Sequence, residues 1–200
     1  ENLLFLMDLL DLKTASENSQ KVVEYLESIG DEKAIIGVIN ALPIVISEQP
    51  WAISQRHHHT PPRIWRDNEI CYFANFGGKH FEKWDGKSLQ KGIGGSETAV
   101  IELARQWADM GYKVTIFGDP EYMGEQEGVM YLPWYYFNKG DKFNIFIQWR
   151  NAQLAPVIKA KKFYVDLHDV VAQVDYSKET MNAIDGVFFK SKYHRDMLPE

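Results

Sequence analysis

The sequence predicts an α/β protein: a doubly wound, mostly parallel sheet preceded by a helical segment. Three observations carry this. From Glu69 onward, short apolar and aromatic runs alternate with helical patterns, the order that builds a parallel sheet with crossover helices. Residues 92–118 hold a glycine-rich loop, an amphipathic helix, a glycine stop and an apolar strand in one run. Residues 1–48 show helical rather than alternating spacing of their apolar positions.

In chain order, Leu3 to Leu12 forms one apolar segment, broken by Asp8 and Asp11 and so too short and too charged to cross a membrane. Ser19 to Ile29 places Val22, Val23, Leu26 and Ile29 toward one side and closes on Gly30. Asp31 is placed to cap a third helix through Ala34, Ile35, Val38 and Ile39, which Pro43 ends. These 48 residues read as a helical segment or the tail of a preceding domain. Residues 49–68 contain Pro50, Pro61, Pro62 and His57-His58-His59 and read as a linker. Adjacent histidines point in different directions, which favours a solvated loop over a metal site.

Residues 69–200 read as the sheet domain. Ile70 to Phe76 is the first strand, and a long loop follows over residues 77–95. Three glycines, Gly92, Gly94 and Gly95, let the backbone turn sharply and a ligand approach closely. Ser96 is a good helix cap, and Glu97 stands where the helix dipole favours negative charge. Val100, Leu103, Ala104 and Trp107 form one buried stripe, and Gly111 stops the helix. Val114 to Phe117, Val129 to Leu132, Phe143 to Trp149 and Phe163 to Leu167 follow as strands. A short helix is expected near Ala152 to Ala160, another over Ser177 to Ile184, and a last strand over Gly186 to Phe189.

In such sheets ligands bind at the carboxyl ends of the strands. That edge collects Phe76-Gly77-Gly78, Gly118-Asp119, Gln148-Trp149-Arg150, His168-Asp169, Lys190-Ser191 and the glycine loop. His168 is suited to binding a hydroxyl or stabilising charge, and Asp169 to orienting a partner. Arg150 offers a planar fork to a phosphate, although a plain surface arginine fits equally. Asp166 is out of place: a carboxylate inside an apolar strand, on the side of His168, needs a partner. A metal held by Asp166, His168 and Asp169 lacks an obvious further ligand. Lys79, His80, Phe81, Lys83, Trp84, Lys87 and Lys91 give the long loop a basic and aromatic mixture that suits a sugar or anionic acceptor.

Several classes are disfavoured. The net charge of −6 argues against a general nucleic-acid binder. Cys71 is the only cysteine, so no internal disulfide or cysteine-based zinc site exists, and a reducing, cytoplasmic setting is expected. A dinucleotide fingerprint needs its glycines directly after the first strand; here they come much later, with Glu97 at the third position. Neither a P-loop nor a nucleophile elbow is present.

The run Gly94-Gly95-Ser96-Glu97 through Gly111 to Phe117, then Leu167-His168-Asp169, then Phe189-Lys190-Ser191-Lys192-Tyr193 resembles the N-terminal domain of family-4-type glycosyltransferases with the GT-B fold. The resemblance covers roughly residues 69 to 200. It implies a Rossmann-like, acceptor-side half facing a separate donor domain that binds a nucleotide-diphosphate sugar. It further implies retaining sugar transfer without a cofactor and usually without a divalent metal. By motif, Gly94 and Gly95 with Ser96, Glu97 and Arg150 would serve the donor phosphate or sugar, while His168 and Asp169 would serve catalysis. The partners implied are the nucleotide-sugar donor and a carbohydrate, lipid or protein acceptor; nucleic acid is not expected, and peripheral membrane contact stays open. Glu1 at the start and Leu198-Pro199-Glu200 at the end suggest a piece of a longer chain lacking its donor domain and inactive by itself. The competing reading is a non-catalytic Rossmann-like module that binds a sugar or nucleotide or docks a partner.

Overall fold

The computed structural model describes residues 2–74, 82–169 and 176–197. The expected ligand-edge residues Phe76-Gly77-Gly78, and Lys79, His80 and Phe81 of the long loop, lie outside these described residues. The chain divides into two compact units, Glu1–Pro61 and Pro62–Glu200.

The first unit is helical. Helix α1 spans Asn2–Ile29 without a break, joining the two segments expected from the sequence. Gly30 ends it at φ 73°, a conformation glycine adopts without a steric penalty. Asp31 then caps α2 (Glu32–Ala41), its carboxylate accepting the Ala34 N–H at 3.0 Å. After α3 (Ile44–Ser47) comes α4 (Pro50–His59), so the stretch read as linker 49–68 is half helix. Pro50 occupies the first helical turn, where its missing N–H has no intrahelical partner to lose. Buried Arg56 ties α4 to α2 by donating to the Ile39 carbonyl at 2.9 Å. Val23, Ile35 and Ile39 form the centre of this unit's core, with Trp51 packed against them. No helix among the described residues is long and apolar enough to cross a membrane.

The second unit is a mixed α/β domain, a Rossmann-like half-domain around one seven-stranded sheet. Its strands are β1 (Glu69–Phe73), β2 (Lys113–Gly118), β3 (Gly124–Gln126), β4 (Val129–Pro133), β5 (Lys142–Trp149), β6 (Lys159–Asp166) and β7 (Gly186–Phe188). They lie in the order β3-β4-β2-β1-β5-β6-β7, and every pairing is parallel except β3 with β4. The short β3 hairpin carries no alternating apolar pattern, which is why the sequence conceals it.

Helices cover both faces. On one, α5 (Gly95–Asp109) packs Val100, Ile101 and Ala104 against Ile70, Tyr72, Ile116 and Ile147. On the other, an aromatic layer of Trp65, Phe117, Phe137, Phe143, Phe146 and Phe163 lies beneath Met181, Ala183 and Ile184, at the end of and just after α6 (Lys178–Asn182). The helix expected at residues 152–160 is replaced by consecutive turns, closed by Ala155 N–H to Ala152 and Ile158 N–H to Leu154. Pro156 breaks the helical ladder there, and the Gln148 and Asn151 side chains bind the Leu154 and Gln153 amides that a helix would turn inward. The chain leaves β1 for β2 and β4 on one side and returns to β5, β6 and β7 on the other. The reversal between β1 and β5 makes their carboxyl ends the place where such sheets bind ligands.

Candidate functional site at the carboxyl edge of the sheet

Helix α5 begins at this edge. The sequence pointed to Ser96 as its cap. Instead Gly94 is the cap residue and makes no side-chain cap bond, the helix starts at Gly95, and Ser96 sits inside the first turn. Glycine is acceptable at a cap. The carboxylate of Glu97 folds back over Gly94, onto the place where a Cβ would stand. Its negative charge lies at the positive end of the helix. Gly92, at φ 77°, provides the turn into this start.

Arg150 faces Glu97 from the end of β5. Its Nη2 lies 3.3 Å from Glu97 Oε1, its Nη1 lies 3.1 Å from Asp169 Oδ2, and the guanidinium stacks 4.0 Å from the Trp149 ring centroid. The arginine side chain is 11% exposed, against 53% for Asp169. Its backbone is strained. At φ 67° it stands in the left-handed region, in a three-residue turn closed by Asn151 N–H to the Trp149 carbonyl at 2.9 Å. The Arg150 N–H also donates to the Asp166 carbonyl at 2.8 Å, fixing the turn against β6.

The second centre is Asp166, wholly buried at the end of β6. Three groups from three parts of the sheet reach it. Tyr72 Oη on β1 donates to Oδ2 at 2.7 Å, His168 Nε2 lies 3.1 Å from the same oxygen, and Lys190 Nζ after β7 meets Oδ1 at 2.6 Å. Burial alone would raise the Asp166 carboxyl, but the His168, Lys190 and Tyr72 hydrogen bonds outweigh it and hold it below its ordinary value. Burial, then the charge and hydrogen bond of Asp166, push the Tyr72 phenol well above its ordinary value. Tyr72 is a donor in this cluster.

The structure thus brings Gly94, Glu97, Arg150 and Asp169 into one group and His168, Asp166 and Lys190 into another. Trp149 links them, with its ring 6.0 Å from that of His168. Gly95 and Ser96 lie beside the first group, with open space around the Gly95 Cα. Trp149 Nε1 is a buried donor without a hydrogen-bond partner among the described residues. Asp119 instead pairs with Lys83 at 3.6 Å. Ser191 caps α7 (Lys192–Arg195) through the His194 amide, and buried Gln148 braces the turn after β5.

Tyr72 and Lys190 are the groups that residue-by-residue reading undervalued. Tyr72 looks like any apolar strand residue, and Lys190 like a solvated lysine. The available signal was Asp166, whose burial demands donors. Among the described residues, no group of three or more His, Cys, Asp or Glu side chains is placed to share a metal ion. Compared with known proteins, the chain matches no family model, no curated protein and no solved structure.

Proposed function

We propose that this chain is the acceptor-side half of a retaining glycosyltransferase of the GT-B kind, which moves a sugar from a nucleotide-diphosphate sugar to a carbohydrate, lipid or protein acceptor. The observation that carries this reading is the meeting of two different polar groups at the β1/β5 edge. One is a cation, Arg150, held against the start of α5. The other is an imidazole, His168, held by a buried carboxylate. A sugar diphosphate needs both kinds of contact: positive potential for the leaving diphosphate and directional hydrogen bonds for sugar hydroxyls.

In this reading Asp169 is the arginine's exchangeable partner, because it is the more exposed of the two carboxylates beside it. A diphosphate oxygen takes its place on Arg150, while Glu97 stays to orient the guanidinium. Negative charge grows on the diphosphate as the sugar bond breaks, and Arg150 with the first amides of α5 stabilises it. His168 serves the sugar, and Trp149 Nε1 supplies a further donor nearby. A cytoplasmic setting belongs to the same proposal, since a single cysteine leaves the sequence without an internal disulfide.

The test uses the full-length protein that carries this chain, incubated with a panel of nucleotide-diphosphate sugars and glycan acceptors. Transfer with retained anomeric configuration is expected. His168→Ala should lower kcat on the order of 10²-fold at a temperature where a melting curve shows the variant still folded, its melting temperature being lowered by the donor lost to Asp166. Sugar-nucleotide binding without transfer would favour a binding module instead, and no binding of any panel member would reject both readings.

A further inference from the structure

We propose that Asp166 is a positioning residue that fixes His168 as its Nε2–H tautomer, so that His168 meets its ligand through Nδ1 as a hydrogen-bond acceptor and the ligand group there is a hydroxyl. The assignment of the hydroxyl to a donor sugar rests on the transferase reading; the tautomer does not.

The geometry leaves one arrangement. Both oxygens of Asp166 are engaged: Oδ1 by Lys190 at 2.6 Å, Oδ2 by Tyr72 at 2.7 Å and by His168 Nε2 at 3.1 Å. An ionised carboxylate only accepts hydrogen bonds. The proton between Asp166 and His168 therefore belongs to Nε2. In a neutral imidazole the other nitrogen then carries a lone pair. A lone pair accepts an O–H and repels a phosphate oxygen, so this nitrogen selects a hydroxyl over an anion.

The tripod is built for placement rather than for proton exchange with solvent. Asp166 is 0% exposed and the His168 side chain 4%. Tyr72 comes from β1, the carboxylate from β6 and the ammonium from the segment after β7, so the anchor spans the sheet from its centre toward one edge. The Trp149 ring lies edge-on to the imidazole, 6.0 Å between centroids. Arg150, Glu97 and Asp169 satisfy one another through the guanidinium, which leaves Asp166 as the carboxylate that holds His168.

The decisive measurement is a two-bond proton–nitrogen NMR correlation on the ligand-free protein, above the pH at which its histidines titrate, with the His168 signals assigned by loss in His168→Gln. The expected spectrum shows a protonated Nε2 and an unprotonated Nδ1. Asp166→Asn should convert it to a mixture of tautomers, with a melting curve showing that the variant is folded. A wild-type spectrum of the Nδ1–H form, or of a mixture, overturns the proposal with no variant required. An unchanged tautomer in folded Asp166→Asn overturns the role of Asp166.

In the full-length protein, nucleotide-diphosphate deoxy-sugars lacking one hydroxyl at a time locate the ligand group. One analogue should lose about tenfold or more in kcat/KM with the wild type and little further with His168→Gln. If no analogue behaves so, the hydroxyl assignment falls. An absence of transfer alongside the Nε2–H spectrum removes the transferase reading and keeps the positioning role.

Discussion

Tyr72 reaches Asp166 from two strands away, its phenol passing over β5 to donate at 2.7 Å. The two residues are 94 positions apart in the chain, so their bond joins the first strand of the domain to the sixth. The ring of Tyr72 packs in the apolar layer under α5, while its oxygen serves the polar edge. One residue therefore belongs to both the core and the site.

Tyr72→Phe keeps the buried ring and deletes one donor to an ionised acceptor. It should cost about 1–3 kcal/mol, read as a lower urea midpoint with an unchanged slope. Stability equal to the wild type would mean that the hydrogen bond does not form in solution.

Acid should expose the same cluster. The native Asp166 carboxyl lies below its ordinary value of 3.8, so its contribution to stability is complete above that pH. As pH falls below it, the unfolded chain takes up the proton first and the contribution is lost progressively, until the folded carboxyl is also protonated. A pH series of urea melts should show wild type and Asp166→Asn drawing together below pH 3.8. A constant gap between them would contradict the depressed carboxyl.

The left-handed backbone of Arg150 separates two variants. Arg150→Ala loses the ion pairs and keeps a Cβ at φ 67°, whereas Arg150→Gly loses the same pairs and relieves the strain. The glycine variant should be the more stable of the two by about 1 kcal/mol, measured by thermal or urea melting. The opposite order would show that the turn is not strained.

The two glycines that open α5 should respond in opposite directions. Around Gly95 nothing lies within 4 Å of an added Cβ, so Gly95→Ala should stabilise by about 0.4–1 kcal/mol. At Gly94 the added Cβ would meet the Glu97 carboxylate, which must swing away from the helix start and from Arg150. Gly94→Ala should cost about 1 kcal/mol. Equal effects in melting experiments would show that Glu97 does not cover Gly94.

Much of the fold could be read from the sequence because its signals are local. The stripe Val100, Leu103, Ala104 and Trp107 located α5, although Ile101 rather than Leu103 joins its buried core, and the apolar runs define β1, β2, β5 and β6. Proline was the main source of error, since its meaning depends on position. Pro50 starts a helix that the sequence suggested as linker, while Pro156 prevents one that it suggested as helix. The sheet edge that carries the candidate site was legible, because strand ends follow from strand assignments. Its partnerships were not, because Arg150 with Glu97 and Tyr72 with Asp166 form only when distant strands align. Asp166 was visible as an anomaly, and strand alternation placed His168 on its side, but Tyr72 and Lys190 come from chain segments that no spacing rule connects to it.

The sheet's two outer strands have a consequence for how the protein behaves when crowded. Both β3 and β7 are three residues long, and β3 carries an exposed Glu125 at its middle. On the β7 side the start of β6 extends beyond that short pairing, but it carries exposed Lys159, Lys161 and Lys162, so short strands and charges together make these margins a poor template for a foreign strand. Concentrated solutions should therefore resist fibril growth from these margins, even though the aromatic layer inside would drive aggregation once the sheet opened.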